Sequence, residues 1–166
     1  LLIGLGGSGT VDGGAGMLAA LGVRFLDADG KELQPTPAGL ASLDRADVGG
    51  LDPGLAGVEI VVLTDVDNPL TGPHGASAVF GPQKGLVKTD VDAMDDHLGH
   101  LAAVIDTARP LRHPVAAPGA GAAGGLGFAL DCVLGGEARM GATYLADLLE
   151  LDEAIAASQL VITGEG

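Results

Sequence analysis

The chain has 166 residues, about one domain's worth, and a net charge of −14. So acidic a surface repels the phosphate backbone, which argues against nucleic acid as a partner, although a nucleotide can still bind at Gly-rich turns. With 47% hydrophobic residues, only 2% aromatic ones and 29 glycines, the core must be built from closely packed Leu, Val, Ile and Ala. That composition suits helices laid on a parallel sheet better than an aromatic-filled sandwich. Cys132 is the single cysteine, so no internal disulfide can form, and a cytoplasmic setting is expected. Cys132 lies in an apolar run and reads as a packing residue. The weakly polar stretch 115–130 is broken by Pro118 and several glycines, so no membrane span is expected.

In chain order, Leu1 to Leu5 reads as a buried strand. Gly6 to Asp12 is a tight turn, and Gly13 to Leu21 a short helix ended by Gly22. Val23–Leu26 and Lys31–Gln34 flank Asp27-Ala28-Asp29-Gly30, a hairpin signal. Residues 35–57 are polar, with little periodicity, and read as loop with a short helical piece. Val58 to Leu63 is an apolar, β-branched strand. Thr89 is placed to cap a helix on which Val91, Met94, Leu98, Leu101 and Ile105 form one apolar stripe. Arg109 to Pro118 connects to a Gly/Ala-rich helix at Ala122–Leu134. Two helical pieces follow, at Thr143–Glu150 and Asp152–Ala157, then a last strand at Leu160–Thr163. Strands alternating with helices give an α/β class with a mixed or mostly parallel sheet and flanking helices.

The most informative segment follows the strand at 58–63: Thr64-Asp65-Val66-Asp67-Asn68-Pro69-Leu70-Thr71-Gly72-Pro73. In an open α/β sheet, ligands bind beyond the carboxyl ends of strands. Asp65 and Asp67 would share one face if strand geometry continues, and are candidates for catalytic base and metal anchor. Their alternative role is capping turn N–H groups. Asn68 and Thr71 are either substrate contacts or turn formers. Gly4-Leu5-Gly6-Gly7-Ser8-Gly9 matches G-x-G-x-x-G, with Asp27 about 20 residues on as a ribose-binding acid. This supports an NAD(P)-dependent oxidoreductase, but the pattern recurs at Gly119–Gly124 and the second strand runs into a hairpin. Gly6, Gly7 and Ser8 can equally cradle an anion or simply form a turn. Asp12 is either a helix N-cap or an active-site acid. Lys84, one of 8 basic residues, sits beside a Gly-Pro turn and is a candidate phosphate or carboxylate contact. Ser77, Gly119, Gly121 and Glu165 are further candidates to line a ligand. No Walker A or protein-kinase motif occurs. His97 and His100 with Asp96, and the acids Asp90, Asp92, Asp95 and Asp96, read as solvated helix positions.

Asp65–Pro73, Gly75-Ala76-Ser77 and Phe80-Gly81-Pro82-Gln83-Lys84-Gly85 together resemble the signature block of the bacterial glycerate kinase family. Gly4–Ser8 with Asp12–Met17, Pro118–Gly127 and Thr163–Gly166 agree in order and rough spacing. Two positions depart from the pattern: Val11 stands where the family usually has Asn, and Gly9 where it usually has Ala. If that Asn touches ligand, Val11 cannot replace it. The last motif also stops short of the family's following Arg-Ile-Asp, so the chain is expected to be the central part of a longer protein.

The resemblance implies a two-domain glycerate kinase type fold with its active site in the cleft. Residues 1–22 and 115–166 would form one Rossmann-like lobe, and 23–114 a second, inserted lobe. It implies ATP-dependent phosphorylation of D-glycerate, with 2-phosphoglycerate the favoured product, ATP and Mg²⁺ as cofactors, and Asp67 as the Mg²⁺ candidate. Asp65, Asp67 and Asp12 are the catalytic candidates. The expected partner is a small-molecule substrate, with no nucleic acid and no membrane; a homo-oligomer stays open. Other readings are the oxidoreductase above and a ligand-binding fragment without activity.

Overall fold

A computed structural model describes residues 1–164. Its main sheet has three parallel strands in the order β1 (Leu2–Gly4), β4 (Val61–Leu63), β5 (Glu137–Arg139). The register is direct: Ile3 faces Val62, and Val62 faces Ala138. β4 is buried at all three positions, as its unbroken apolar run requires. β1, in contrast, is exposed at Leu2 and Gly4, because it is the outer strand of this sheet. β5 carries Glu, Ala and Arg, an exposed composition without a strand signature, and was not foreseen. β4 thus sits between β1 and β5.

A second, antiparallel pair joins β2 (Arg24–Leu26) to β3 (Arg45–Asp47). The turn Asp27–Gly30 forms as expected: the Gly30 N–H donates to the Asp27 carbonyl at 3.0 Å. The expected return strand at 31–34 is reduced to a bridge between Leu26 and Glu32. β3, from the stretch read as loop, takes most of the ladder. The reason is burial: Ala46 is in the core beside Phe25, whereas Lys31 and Glu32 are exposed.

The long helix α3 (Val91–Ala108) buries Leu98, Leu101 and Ile105 on the expected stripe. Thr89 does not cap it. A 3₁₀ turn at Lys88–Asp90 runs straight into the helix, and the Thr89 hydroxyl donates to the Asp90 side chain instead. Around α3 a single core gathers Leu18 of α1 (Ala15–Ala20), Phe25, Leu70, Ala76 of α2 (Ala76–Phe80) and Phe128. A smaller cluster of Ile60, Val62 and Leu130 packs on the sheet.

The expected helix at 122–134 is broken. In α4 (Ala122–Gly127), Ala123, Gly124 and Gly125 take positive φ (52°, 72° and 97°), and Phe128–Val133 then forms a π-helical turn. Cys132 is fully buried there. Burial, and then the neighbouring Asp131 carboxylate, push its thiol up to about 12, as befits a packing residue. α5 (Gly141–Leu148) and α6 (Leu151–Ala156) follow. The apolar run Leu160–Ile162 is exposed and, among the described residues, pairs with no strand, so the expected last strand does not form here. Among the described residues no helix is long and apolar enough to cross a membrane.

Candidate functional site

β4 delivers the signature block. Past Leu63 the chain leaves strand geometry at Thr64, whose N–H still donates to the Arg139 carbonyl at 3.0 Å. Asp65, Val66 and Asp67 then emerge, exposed, at the carboxyl end of the sheet. Asp65 and Asp67 both line a pocket of about 480 Å³ with Thr64, Pro118, Arg139 and Met140. They are not equivalent. Asp65 Oδ1 accepts a hydrogen bond from the Ala142 N–H at 3.0 Å, in the first turn of α5, so this carboxylate already holds the helix start. Asp67 has no hydrogen-bond partner among the described residues and points its charge at the pocket or solvent.

A second, smaller pocket of about 140 Å³ lies on the other side of Val66. Val66 lines both. The small pocket is walled by Leu5, Phe80 and Ala122, and its polar groups come from Gly6, Gly7, Ser8, Gln83 and Lys84. Lys84 Nζ donates to Ser8 Oγ at 2.6 Å and to the Thr10 carbonyl at 2.8 Å. Burial pushes the Lys84 ammonium below the usual lysine range, and the Asp12 carboxylate partly restores it. Asp12 itself is committed to α1. Its two carboxylate oxygens accept from the Gly14 and Gly16 N–H groups at 3.0 and 3.1 Å, at the start of the helix.

The Gly-rich segments divide into two kinds. A Cβ on Gly121 would overlap the Pro69 carbonyl oxygen, and one on Gly124 would overlap that of Thr10, so these glycines allow backbones to pass in contact. The Gly121 N–H donates to the Asn68 carbonyl at 2.8 Å, and the Gly13 N–H to the Gly124 carbonyl at 3.0 Å. The last Gly-rich loop thereby locks the signature block to the first loop. Gly6 and Gly7 differ: nothing lies within 4 Å of a Cβ placed on either. Their space is open, as a ligand-facing loop requires.

Several expected site residues hold neighbouring backbone groups or are buried in this arrangement. Asn68 Nδ2 donates to the His74 carbonyl at 2.8 Å and closes the turn. Thr71 belongs to the same turn, which Asp95 of α3 fixes by accepting from the Gly72 N–H at 2.8 Å. Asp95 is therefore not the merely solvated acid expected. Ser77 is fully buried in α2, its hydroxyl without a partner among the described residues, and it lines neither pocket. Gly119 and Gly121 are buried under the signature block. Asp27 Oδ1 accepts from the Asp29 and Lys31 N–H groups, and β2 pairs outside the main sheet. The ribose acid and adjacent second strand of a dinucleotide fold are thus not assembled here. Glu165 lies outside the described residues.

The profile described as "Glycerate kinase family" matches residues 1–166. The chain belongs to the glycerate kinase family. It is 45% identical to the glycerate kinase of Bacillus subtilis (strain 168) over 166 residues, and 47% identical to the glycerate 2-kinase of Escherichia coli (strain K12) over 167. Each alignment takes in all of this chain and 43% of the relative. A solved Salmonella typhimurium LT2 chain, assigned as glycerate kinase 2, superposes with a TM-score of 0.85 at 46% identity, covering 99% of this chain and 44% of that one. The chain therefore spans less than half the length of the relatives it matches. The α/β class and the parallel sheet with flanking helices agree with this kinship.

Within this glycerate kinase segment, sequence reasoning missed three contributors. Val66, between the two acids, is the wall shared by the pockets. The Thr10 carbonyl holds Lys84. Ala123 sits in the left-handed region beside Ser8 and Lys84, where a residue with a Cβ is strained. An alanine within a Gly-rich run gives no residue-level sign of this.

Proposed function

We propose that the intact protein carrying this segment transfers the γ-phosphoryl group of ATP to a hydroxyl of D-glycerate. The observation that carries this reading is the placement of Asp65 and Asp67 in one pocket at the carboxyl end of β4, next to the Lys84 pocket. Family membership supports glycerate as acceptor, and the relative named glycerate 2-kinase supports 2-phosphoglycerate as product. Asp67, exposed and unengaged among the described residues, accepts the proton of the attacking hydroxyl. Asp65 keeps one oxygen on α5, leaving the other for the pocket. Two carboxylates in one pocket fit Mg²⁺, a hard cation held by one or two carboxylates plus substrate phosphates. When bound, it would offset phosphate charge. The open loop at Gly6–Ser8 and Lys84 hold anionic groups and orient them.

ADP release from MgATP, with and without D-glycerate, tests the reading in the intact protein. Glycerate-dependent ADP supports it. A folded protein that releases none sinks it.

A further inference from the structure

The two pockets differ in size and in sign, and the difference bears on which ligand each takes. The 140 Å³ pocket falls well below the roughly 300–1,000 Å³ of sites that enclose drug-sized ligands. A nucleoside triphosphate does not fit in it; a three-carbon acid does. Among the described residues that line it there is no carboxylate, although the chain has 22 acidic residues. Its one charged group is the Lys84 ammonium, and its neutral polar side chains, Ser8 and Gln83, can each donate. Lys84 has three N–H bonds and spends two, on Ser8 and Thr10. Ser8 Oγ accepts from Lys84, so its own O–H is free to donate. Leu5, Phe80 and Val66 supply apolar walls. The 480 Å³ pocket is larger, and two carboxylates, Asp65 and Asp67, line it with one guanidinium, Arg139, which is already paired with Glu137. A bare carboxylate is repelled there, whereas phosphates carrying a divalent cation are not.

We infer that the small pocket is the carboxylate subsite, in which Lys84 and Ser8 bind the acid end of a short 2-hydroxy acid, and that the nucleotide occupies the larger pocket across Val66. This rests on the kinase reading above. It adds a division of labour that family kinship leaves open. An acid anchored on Lys84 and Ser8 has its hydroxyl carbons on the side of Val66, the wall shared with the pocket that Asp67 lines.

The test is the split in KM for Ser8→Ala and Lys84→Met in the intact protein. Each variant is expected to raise the KM for D-glycerate at least 20-fold and to leave that for MgATP within threefold. Lactate, which shares the acid end, is expected to compete with glycerate in the parent and to lose that competition in both variants. A rise in the KM for MgATP, alone or equal to that for glycerate, overturns the assignment. If Lys84→Met does not fold, Ser8→Ala decides alone, since it removes one hydroxyl. If the parent shows no glycerate-dependent ADP release, the kinase reading has failed separately. Calorimetric titration with D-glycerate then tests the pocket by itself. A 20-fold weaker affinity in Ser8→Ala supports it, and unchanged or undetectable binding in the parent and variant overturns it.

Discussion

Gly121→Ala is expected to be a severe substitution in a chain where many glycines look alike. Gly121 lies at φ −79°, ψ −10°, which alanine adopts freely, so the cost is steric and not conformational. The added methyl would overlap the Pro69 carbonyl oxygen and lie 3.1 Å from that of Asn68. Both are backbone atoms, so neither can swing aside. Separating the two segments would stretch the 2.8 Å bond from the Gly121 N–H to the Asn68 carbonyl. Overpacking costs about 1–3 kcal/mol and the lost hydrogen bond about 1 kcal/mol, together about 2–4 kcal/mol. With a urea slope of about 2 kcal/mol per M, within the usual range of about 1–3, the midpoint falls by roughly 1–2 M. Far-UV circular dichroism of the intact protein in urea measures this. Gly6→Ala is the control, because nothing lies within 4 Å of its added methyl, and its stability should stay within about 0.5 kcal/mol of the parent. A Gly121→Ala protein as stable as the parent, or a Gly6→Ala protein as unstable as Gly121→Ala, would refute the distinction between packing and ligand-facing glycines.

Asp67→Asn should lower turnover by about 10²–10⁴-fold and leave the melting temperature unchanged, whereas Asp65→Ala should also lose about 1 kcal/mol of stability through the start of α5; thermal melts beside turnover assays separate the two. The lowered pKa of Lys84 means that, between its folded value and the ordinary value of 10.5, the unfolded chain binds more protons, so this group makes stability rise with pH across that window. The same protonation carries anion affinity, so D-glycerate binding should weaken as pH rises through the folded value. Urea midpoints and glycerate titrations across pH, compared with Lys84→Met, show whether both trends belong to this residue.

The strand before the signature block and the stripe of α3 were legible because each is decided by hydrophobic pattern over its own residues. β5 and β3 were not. Glu137-Ala138-Arg139 carries no strand pattern, and it pairs because β4 offers an open edge beside it. Arg45-Ala46-Asp47 pairs with β2 because one alanine fits under Phe25, a tertiary fact. In the site, the residues themselves were legible but their division was not. Asp12, Asn68 and Asp65 each had two readings from sequence, and which backbone groups they hold, those of Gly14, His74 and Ala142, is visible only in the structure. Lys84 was legible as a rare cation in an acidic chain. Its partner Thr10 acts through a carbonyl, and a carbonyl leaves no trace in residue type.

Val11 is the position where this chain departs from its family and where the structure alters the argument. The departure matters only if position 11 faces ligand. Val11 is 9% exposed and belongs to the main core, one residue before the Asp12 cap. It lines neither pocket at the end of β4. Its side chain therefore packs, and the change from amide to isopropyl removes a polar group from the interior. Val11→Asn restores the usual family residue. Because the surrounding core is apolar, the amide would be buried without partners, at a cost of about 1–3 kcal/mol. The KM for D-glycerate should stay within twofold. A variant that loses no stability, or that binds glycerate several-fold more tightly than the parent, would show that position 11 turns towards the ligand, and the loop from Ser8 to Asp12 would then contribute a contact that its packing here does not account for.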